Sequence, residues 1–426
     1  MAQVYSNSYC NIAAAFARDR TYGCFAKRDP TTIKPLNLDL VWGPRPGICL
    51  AVPQSYWHKA IFKTPLHQRA WVCQERYLSP RNVYFCDTQL HWECSELCAN
   101  ETFPHGIPFP IPSKFGETGG KPSKSLEPEG HDAYRFGYPP APELNVFDMW
   151  NSIVTRYTRG CLTYPTDKLV AISGLATRLQ KLTNSRYLAG LWERHLADQL
   201  LWVSYGSESD DNLGVPGTVG DCYIAPIWSW ASADGHVSEV CSIRHADYRD
   251  ILVQLLAAHV DLADGNNPFG QVTGGYLQLR SALAKSKLQL KQSSPSYSVN
   301  IHYGGIEICD VAQLDCRREI LFTFELTDAD SFSYLPVRTS SEEDRTIAHR
   351  NRYGIPYIEG LILQSISSKD GLKDKFRRVG WFMMRQSWGA EYFQRACRRQ
   401  SRKQGLSYAD GEEPDAWGPR QVITIV

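Results

Sequence analysis

"HQRAWVCQERYLSPRNVYFCDTQLHWEC", from His67 to Cys94, places a helix signal directly before two strand signals. Thr64 and Pro65 precede it as a capping residue and a first-turn proline. Apolar residues then recur at helical spacing from Leu66 to Tyr77, and Ser79-Pro80 ends the pattern. The runs NVYF and QLHWEC are rich in aromatic and β-branched residues and predict a β-hairpin. The stretch therefore predicts a helix followed by two paired strands.

Beyond residue 100, the amino-acid composition of the chain changes twice. Residues 101–143 are rich in proline and glycine, which indicates a linker or an insert. Helical patterns at Val146–Tyr157, Thr166–Leu182 and Leu188–Trp202 predict a helical connector over residues 144–205. Residues 206–426 are predicted to be β-rich, from the strand-like runs YIAPIWSWAS, GYLQLRSALA, YSVNIHY, EILFTFELT, YIEGLILQSI, RRVGWFMMR and QVITIV.

Composition excludes several classes of protein. The chain has 426 residues, of which 46 are basic and 45 acidic, so no charge excess points to nucleic acid or to an anionic membrane. The 13 cysteines are scattered, which favours reduced thiols over a disulfide scaffold. Neither a signal peptide nor an apolar run long enough to span a membrane is apparent. We expect a soluble cytoplasmic protein with no membrane association.

The motifs around the opening stretch resemble the fungal heterokaryon incompatibility (HET) domain family. RAWVCQER followed by LSPR and QLHWEC, over residues 69–94, is similar to that family's third block. VYSNSYCNIAAA upstream resembles the end of its second block, and DKLVAISGLA, YLAGLWERHLADQLLW and PIWSWAS are similar to phrases that often follow HET domains. The resemblance spans about residues 1–235, and more loosely the β-rich region beyond.

The family's opening motifs are missing from the sequence. HET domains begin with a strand motif like L-S-Y-x-W-G and continue with W-I-D-x-L-C-I-N-Q, and neither occurs here. We therefore expect residues 1–100 to be the C-terminal part of a HET domain, with Met1 falling inside the family's second block. Loss of the first strands would leave an unpaired sheet edge and exposed apolar surface. The predicted fold class is α+β, with an incomplete, TIR-like α/β region, the helical connector and the β-rich region.

Glu75 is the candidate catalytic residue implied by the resemblance. HET domains have been likened to Toll/interleukin-1 receptor (TIR) domains, some of which cleave NAD with a glutamate that follows a tryptophan by four residues. Trp71 and Glu75 have that spacing on one helix face. A carboxylate there could stabilise the positive charge that develops as nicotinamide leaves. The alternative is that Glu75 pairs with Arg69, Arg76 or Arg81 and fixes the helix end.

The candidate ligand-binding residues are Trp71, Arg69, Arg76 and Arg81. Arg69, Arg76 and Arg81 could grip a phosphate, although such arginines are more often ordinary members of ion pairs, which is the reading we favour. Trp71 could provide a ligand wall, whereas aromatic residues of this block more often form the core. Cys86, His91, Cys94, Cys98 and His105 lack zinc-ligand spacing and read as structural residues. The basic residues at 395–403 read as a solvated helix face. No metal and no cofactor is expected.

Two functional hypotheses remain open at this point. The first is a module for non-self recognition and programmed cell death that works through protein partners and is catalytically incomplete as given. The second is an NAD-cleaving hydrolase that uses Glu75, with a nucleotide substrate in a complete form of the domain. Release of nicotinamide, and its loss on Glu75→Ala, would distinguish them.

Overall fold

A computed structural model describes most of the chain, with gaps. The described residues are 1–33, 36–40, 47–51, 57–107, 111–112, 118–119, 142–205, 218–219, 222–233, 235–239, 249–285, 287–293, 296–303, 306–307, 311–314, 332–340, 358–366, 375–384, 387–409 and 414–426.

Helices and strands are both abundant, as the α+β expectation requires. The α-helices are α1 (Ala2–Ser6), α2 (Trp71–Leu78), α3 (Pro142–Tyr157), α4 (Ser173–Thr183), α5 (Leu196–Gln199) and α6 (Ser387–Lys403). Single turns of 3₁₀ or π type lie at Pro30–Ile33, His58–Phe62, Leu66–Gln68, Pro165–Asp167, Val170–Ile172 and Trp230–Ser232.

Over the described residues, the strands form two larger sheets, one three-stranded sheet and several two-stranded pairs. In chain order they are β1 (Asn11–Ala13), β2 (Leu36–Leu40), β3 (Gly47–Ala51), β4 (Arg81–Phe85), β5 (Leu90–Cys94), β6 (Cys98–Asn100), β7 (Ile111–Pro112), β8 (Thr118–Gly119), β9 (Tyr187–Leu188), β10 (Leu191–Trp192), β11 (Trp202–Tyr205), β12 (Thr218–Val219), β13 (Cys222–Tyr223), β14 (His236–Glu239), β15 (Arg249–Ile251), β16 (Gln254–Leu262), β17 (Val272–Ser281), β18 (Ala284–Lys285), β19 (Lys287–Ser293), β20 (Ser296–Tyr303), β21 (Ile306–Glu307), β22 (Val311–Leu314), β23 (Phe332–Ser340), β24 (Ile358–Ser365), β25 (Lys375–Met384) and β26 (Gln421–Ile425).

The chain divides into two compact units. The N-terminal unit comprises residues 1–149, 156–163 and 171–179, and the C-terminal unit comprises residues 150–155, 164–170 and 180–426. The boundaries expected from the sequence, at residues 100, 143 and 205, stay predictions.

A four-stranded sheet forms the centre of the N-terminal unit. Its strand order is β1-β4-β5-β6, with β1 parallel to β4 and the other pairs antiparallel. The β4–β5 hairpin confirms the prediction from NVYF and QLHWEC. β1 ends this order, and no strand is paired to its other side among the described residues.

The two faces of this sheet differ sharply in burial. The inner face carries Asn82, Tyr84, His91 and Glu93, which are all buried. The outer face carries Ile12, Val83, Phe85, Leu90 and Trp92, of which Ile12 is exposed and the others are half-buried. Ile61, Ala13, Ala15 and Cys86 pack with Tyr84 in the inner core. Helix α2 also belongs to the inner side, because its Arg76 bonds to Glu93.

The helix predicted from Thr64 to Ser79 is interrupted in the structure. A 3₁₀ turn ends at Gln68 and α2 begins at Trp71. Between them, the Ala70 amide donates to the Cys161 carbonyl at 3.0 Å, and the Cys161 amide donates to the Gln68 carbonyl at 2.6 Å. A continuous helix was the wrong prediction, because these backbone groups bond to a distant segment. Glycine is required at position 160 beside Ala70, since a Cβ there would lie 2.7 Å from the Ala70 Cα.

A nine-stranded sheet dominates the C-terminal unit. Its main path is β15-β23-β24-β25-β26-β17-β16, with β18 paired to β23 and β22 paired to β25. The pairs are antiparallel except β25–β26. Its core includes Phe382, together with Phe393 and Cys397 from α6. The strands predicted from GYLQLRSALA, YSVNIHY, YIEGLILQSI, RRVGWFMMR and QVITIV are confirmed, while EILFTFELT lies outside the described residues.

The helix predicted over Leu188–Trp202 does not form. The β9–β10 hairpin and the single-turn α5 occupy this segment instead. Gln199 decides the outcome: its side chain accepts from the Trp192 amide at 2.9 Å, and its amide donates to the carbonyls of Trp192 (2.9 Å) and Arg194 (2.8 Å). Ala189, Gly190 and His195 have positive φ, which a helix does not accommodate.

The strand predicted for YIAPIWSWAS is also wrong beyond Tyr223. After β13 the chain enters a turn and the 3₁₀ turn Trp230–Ser232. Ser229 caps that turn by accepting from the Ala231 amide at 3.0 Å. Trp228 and Trp230 are nonetheless both buried.

Candidate functional site

A buried ion pair between α2 and β5 lies at the centre of the N-terminal unit. Arg76 donates Nε to Glu93 Oε2 at 2.8 Å and also donates Nη2 to Glu93 Oε1. Both side chains are almost completely buried. This bidentate geometry is the strongest form of arginine–carboxylate pairing. Helix α2 is thereby tied to the inner face of the sheet.

Tyr84 and Asn82 form hydrogen bonds to the two members of the Arg76–Glu93 pair. The Tyr84 hydroxyl donates to Glu93 Oε2 at 2.6 Å, and Asn82 Nδ2 donates to the Arg76 carbonyl at 3.2 Å. Burial opposes the charge of Arg76, but the Glu93 carboxylate outweighs it, so the pKa of Arg76 lies above its usual range. Burial, and then the charge of Glu93, raise the pKa of Tyr84. Tyr84 therefore stays a neutral donor.

His67 lies on the same side of the sheet. Thr64 Oγ1 donates to the Ile61 carbonyl at 2.7 Å and lies within hydrogen-bond distance of His67 Nδ1, at 3.0 Å. Burial, and then the charge of Arg76, lower the pKa of His67 to about 3. The imidazole is therefore neutral at pH 7.

Glu75, the predicted catalytic residue, faces a different neighbour. Its carboxylate interacts with the hydroxyl of Tyr5 on α1, and it is half-buried. Burial, and then the charge of Glu75 and its hydrogen bond, raise the pKa of Tyr5 to about 12. The positive charge of Arg69 acts on Tyr5 in the opposite direction, which puts Arg69 near the same pair. Glu75 thus has a tyrosine partner that the sequence did not indicate.

The predicted arginine and tryptophan ligands are dispersed. Arg76 is buried on Glu93, whereas Arg69 is exposed. Arg81 lies at the start of β4, with its guanidinium 4.9 Å from the centre of the Tyr9 ring and donating to the Tyr9 carbonyl at 3.4 Å. Trp71 is half-buried on α2, one turn before Glu75. The structure brings Arg69 and Arg76 to one cavity.

That cavity has a volume of about 20 Å³, room for one or two water molecules. Its lining comprises Phe62, His67, Arg69, Ala70, Cys73, Arg76, Tyr77, Arg156, Tyr157 and Gly160. Arg76 and Arg156 both stack on Phe62, with guanidinium carbons 4.6 and 4.4 Å from the ring centre. The lining is thus cationic and aromatic, and Glu75 is not part of it.

Apolar side chains around β1 are unusually exposed. Tyr9 is 83% exposed, Ile12 67% and Phe25 85%. Phe25 stacks edge-on against Phe85 of the outer face, with ring centres 5.6 Å apart. Ile12 and Phe25 thus extend the half-buried apolar face towards solvent.

The residues considered for zinc take up separate positions. Cys86 Sγ donates to the Ala60 carbonyl at 3.3 Å, and Cys94 Sγ donates to the Leu97 carbonyl at 3.6 Å. Cys94 faces the outer side of β5 and His91 the inner side. No group of three or more His, Cys, Asp or Glu residues suited to a metal occurs in the described part of the chain.

Comparison with known proteins identifies the first part of the chain. Residues 1–75 match the family described as heterokaryon incompatibility protein (HET). The chain matches no curated protein, nor any solved structure. Residues 1–75 are therefore HET-domain sequence, which confirms the resemblance for this part, whereas its extension to residue 235 and the TIR-like arrangement stay predictions.

Sequence reasoning missed Glu93, Tyr84 and His67 as parts of one cluster. A signal was present, because Glu93 lies on the strand face of His91 and opposite to Trp92. An acid alternating with an aromatic residue in a predicted strand indicates either a solvated face or a buried ion pair. In the structure, Arg76 on the helix before the hairpin is the partner of Glu93.

Over the described residues, no helix is long and apolar enough to cross a membrane.

Proposed function

We propose that the N-terminal unit is a signalling module of the heterokaryon incompatibility type, which acts by binding a protein partner rather than by catalysis. The HET match over residues 1–75 gives the class of protein. Binding to a partner is supported by the exposure of Ile12 and Phe25 beside the outer face of the sheet. Exposed apolar side chains beside a half-buried apolar sheet face offer a partner a surface to cover. The outer face is therefore a binding surface.

The surroundings of this surface suggest the chemistry of the partner. Residues 9–29 carry four basic side chains (Arg18, Arg20, Lys27 and Arg28) and the two acids Asp19 and Asp29. Both acids bond to nearby threonines, Thr21 and Thr31. Arg28 is paired with Glu101, so a small excess of basic side chains remains beside the apolar surface. An amphipathic helix whose apolar stripe has acidic flanks matches it in both respects.

Cleavage of NAD by Glu75 is the competing proposal. The spacing of Trp71 and Glu75 on α2 supports it. The contact of Glu75 with Tyr5 also gives the carboxylate a simpler role, which is to fix α1 on α2. Because the cationic cavity is lined by other residues and has water-sized dimensions, it does not serve Glu75 as a nucleotide site.

Induced expression in a filamentous fungus tests the proposal, with colony formation as the readout. We expect the unaltered chain to reduce colony formation and both Ile12→Asp and Phe25→Asp to restore it. Tyr164→Asp is the matched control, since Tyr164 is also exposed (67%) but belongs to the other unit. Glu75→Ala should retain the effect and release of nicotinamide should be absent. Loss of the effect in Glu75→Ala together with released nicotinamide would favour NAD cleavage, and no effect of the unaltered chain would contradict the proposal.

A further inference from the structure

Helix α6 of the C-terminal unit has one buried face and one charged face. Phe393 and Cys397 pack into the core of this unit. Ser401 Oγ donates to the Pro419 carbonyl at 2.9 Å, which fixes the last turn of the helix. On the opposite side, four exposed basic side chains recur at helical spacing and form the basic stripe: Arg395, Arg399, Arg402 and Lys403. The fold therefore holds these charges in a row at the surface.

Most of the charge in the basic stripe is uncompensated. Arg395 lies 3.6 Å from Glu391, but both side chains are more than half exposed (61% and 69%), and an exposed pair of this kind is weak. The other three members of the stripe have no ion pair or hydrogen bond among the described residues. Asp415, the first described acid after the helix, is already paired with Arg420 at 3.2 Å and accepts from the Trp417 amide.

Helix stability accounts for only part of this pattern. The helix dipole favours cations in the last turn, which suits Arg402 and Lys403. Arg395 and Arg399 lie two turns and one turn before the end, and Arg399 has a like charge four residues away on either side. Like charges at this spacing disfavour a helix. An anionic partner along the stripe would relieve that repulsion.

We propose that the basic stripe binds an extended acidic segment of a protein partner, with acids at alternate positions. Residues four apart on a helix are separated by about 6 Å along its axis. Alternate side chains of an extended chain lie on one side and are about 6.6 Å apart. Three successive acids of the segment therefore meet Arg395, Arg399 and Lys403 in turn. The guanidinium groups take the carboxylates in bidentate pairs.

The surroundings of the basic stripe favour a peptide over nucleic acid or a membrane. Single-stranded nucleic acid is normally held by exposed aromatic side chains on which its bases stack. Beside the stripe, Tyr392 is half-buried under Arg395, whose guanidinium lies 5.7 Å from the ring centre. A membrane-binding helix presents an apolar face to lipid, whereas Phe393 and Cys397 face the core. Because the stripe belongs to the C-terminal unit, its role is independent of the function proposed for the N-terminal unit.

Fluorescence anisotropy with the full chain, at neutral pH and low ionic strength, tests the proposal. The probe is a labelled peptide in which glutamate alternates with threonine, and its control has the same residues arranged as one block of each. We expect the alternating peptide to bind at least about threefold more tightly than the block peptide, because three acids then match the stripe at once. At equal concentration of negative charge, single-stranded oligothymidylate and vesicles of phosphatidylcholine with phosphatidylserine should compete less well than the unlabelled alternating peptide.

Two matched double variants locate the binding. Arg395→Gln with Arg399→Gln should weaken the alternating peptide at least about fivefold, as loss of two exposed charge pairs does. Arg178→Gln with Lys181→Gln is the control, since both residues are exposed and lie one turn apart on α4. It should leave binding within about twofold. Because all four side chains are exposed, both variants should fold like the unaltered chain.

The acids of this chain are the alternative occupant. Asp410, Glu412 and Glu413 follow the helix in sequence. Asp410→Asn, Glu412→Gln and Glu413→Gln together should leave the affinity for the alternating peptide within about threefold. A larger gain would mean that these acids occupy the stripe, and would overturn the proposal. A preference between the peptides below about threefold, a loss in the Arg395 and Arg399 variant no larger than in its control, or better competition by oligothymidylate or vesicles would overturn it as well.

Discussion

Replacing Glu93 by glutamine is the most informative perturbation of the N-terminal unit. The change keeps the shape of the side chain and removes its charge, while Arg76 remains buried against it. Tyr84 can still donate to the amide oxygen, so the loss falls on the charge of Arg76. Removing one partner of a buried pair costs about 3–5 kcal/mol. That is a large part of the roughly 5–15 kcal/mol that stabilises a typical domain.

Hydrogen–deuterium exchange of the full chain, read at the amides of β4 and β5, measures this effect. It is preferable to one global unfolding curve, because two compact units need not unfold together. Glu96→Gln is the matched control, since Glu96 is exposed just after β5. The paired change Arg76→Met with Glu93→Leu should be more stable than Glu93→Gln, because no charge is left buried. If Glu93→Gln exchanges like Glu96→Gln, the ion pair does not hold the unit together.

Further predictions concern stability. The pKa of His67 is about 3 in the folded protein, against 6.5 for an ordinary histidine. Between pH 6.5 and pH 3, His67 is therefore protonated in the unfolded chain but neutral in the folded one. Stability should therefore fall as pH decreases from 6.5 towards 3, by about 1.4 kcal/mol per pH unit from this residue, and urea unfolding of His67→Phe should lack that part of the slope. Gly360→Ala should destabilise the C-terminal unit by about 3 kcal/mol or more, because its Cβ would overlap the Leu335 carbonyl, whereas Gly265→Ala, which meets nothing, should stay within about 0.5 kcal/mol in thermal unfolding. Gln199→Leu should cost about 2–3 kcal/mol by the same assay, because several buried backbone groups lose their partner; an unchanged melting temperature would contradict this.

The local elements of the N-terminal unit could be read from the sequence. The β4–β5 hairpin and helix α2 follow from alternation and helical spacing over a few residues. The break before α2 could not be predicted, because it depends on Gly160 and Cys161, which are distant in sequence. The helix predicted at Leu188–Trp202 failed for a similar reason. Gly190 there accepts a hydrogen bond from the indole of Trp150 at 2.9 Å, which no local pattern reveals.

The candidate site residues Glu75, Trp71, Arg69, Arg76 and Arg81 stay predictions, and their partners in the structure could not be read from the sequence. Spacing alone placed Trp71 and Glu75 one turn apart, but it could not show that Tyr5 contacts Glu75. Likewise, three arginines in one stretch suggested a common ligand. The structure separates them, because Arg76 points to Glu93 on β5 and Arg81 to Tyr9 at the sheet edge. The tertiary partners of these arginines, rather than their residue type, decide which of them could bind a ligand.

The central claim is that the N-terminal unit signals through its outer sheet face. The most direct measurement compares Ile12→Asp with Glu75→Ala in the colony-formation assay, with both proteins expressed to equal levels. We predict that Ile12→Asp loses the growth effect, since a charge would enter a surface that is 67% exposed and apolar, and that Glu75→Ala keeps it. The opposite pattern, with activity lost in Glu75→Ala and kept in Ile12→Asp, would contradict the claim.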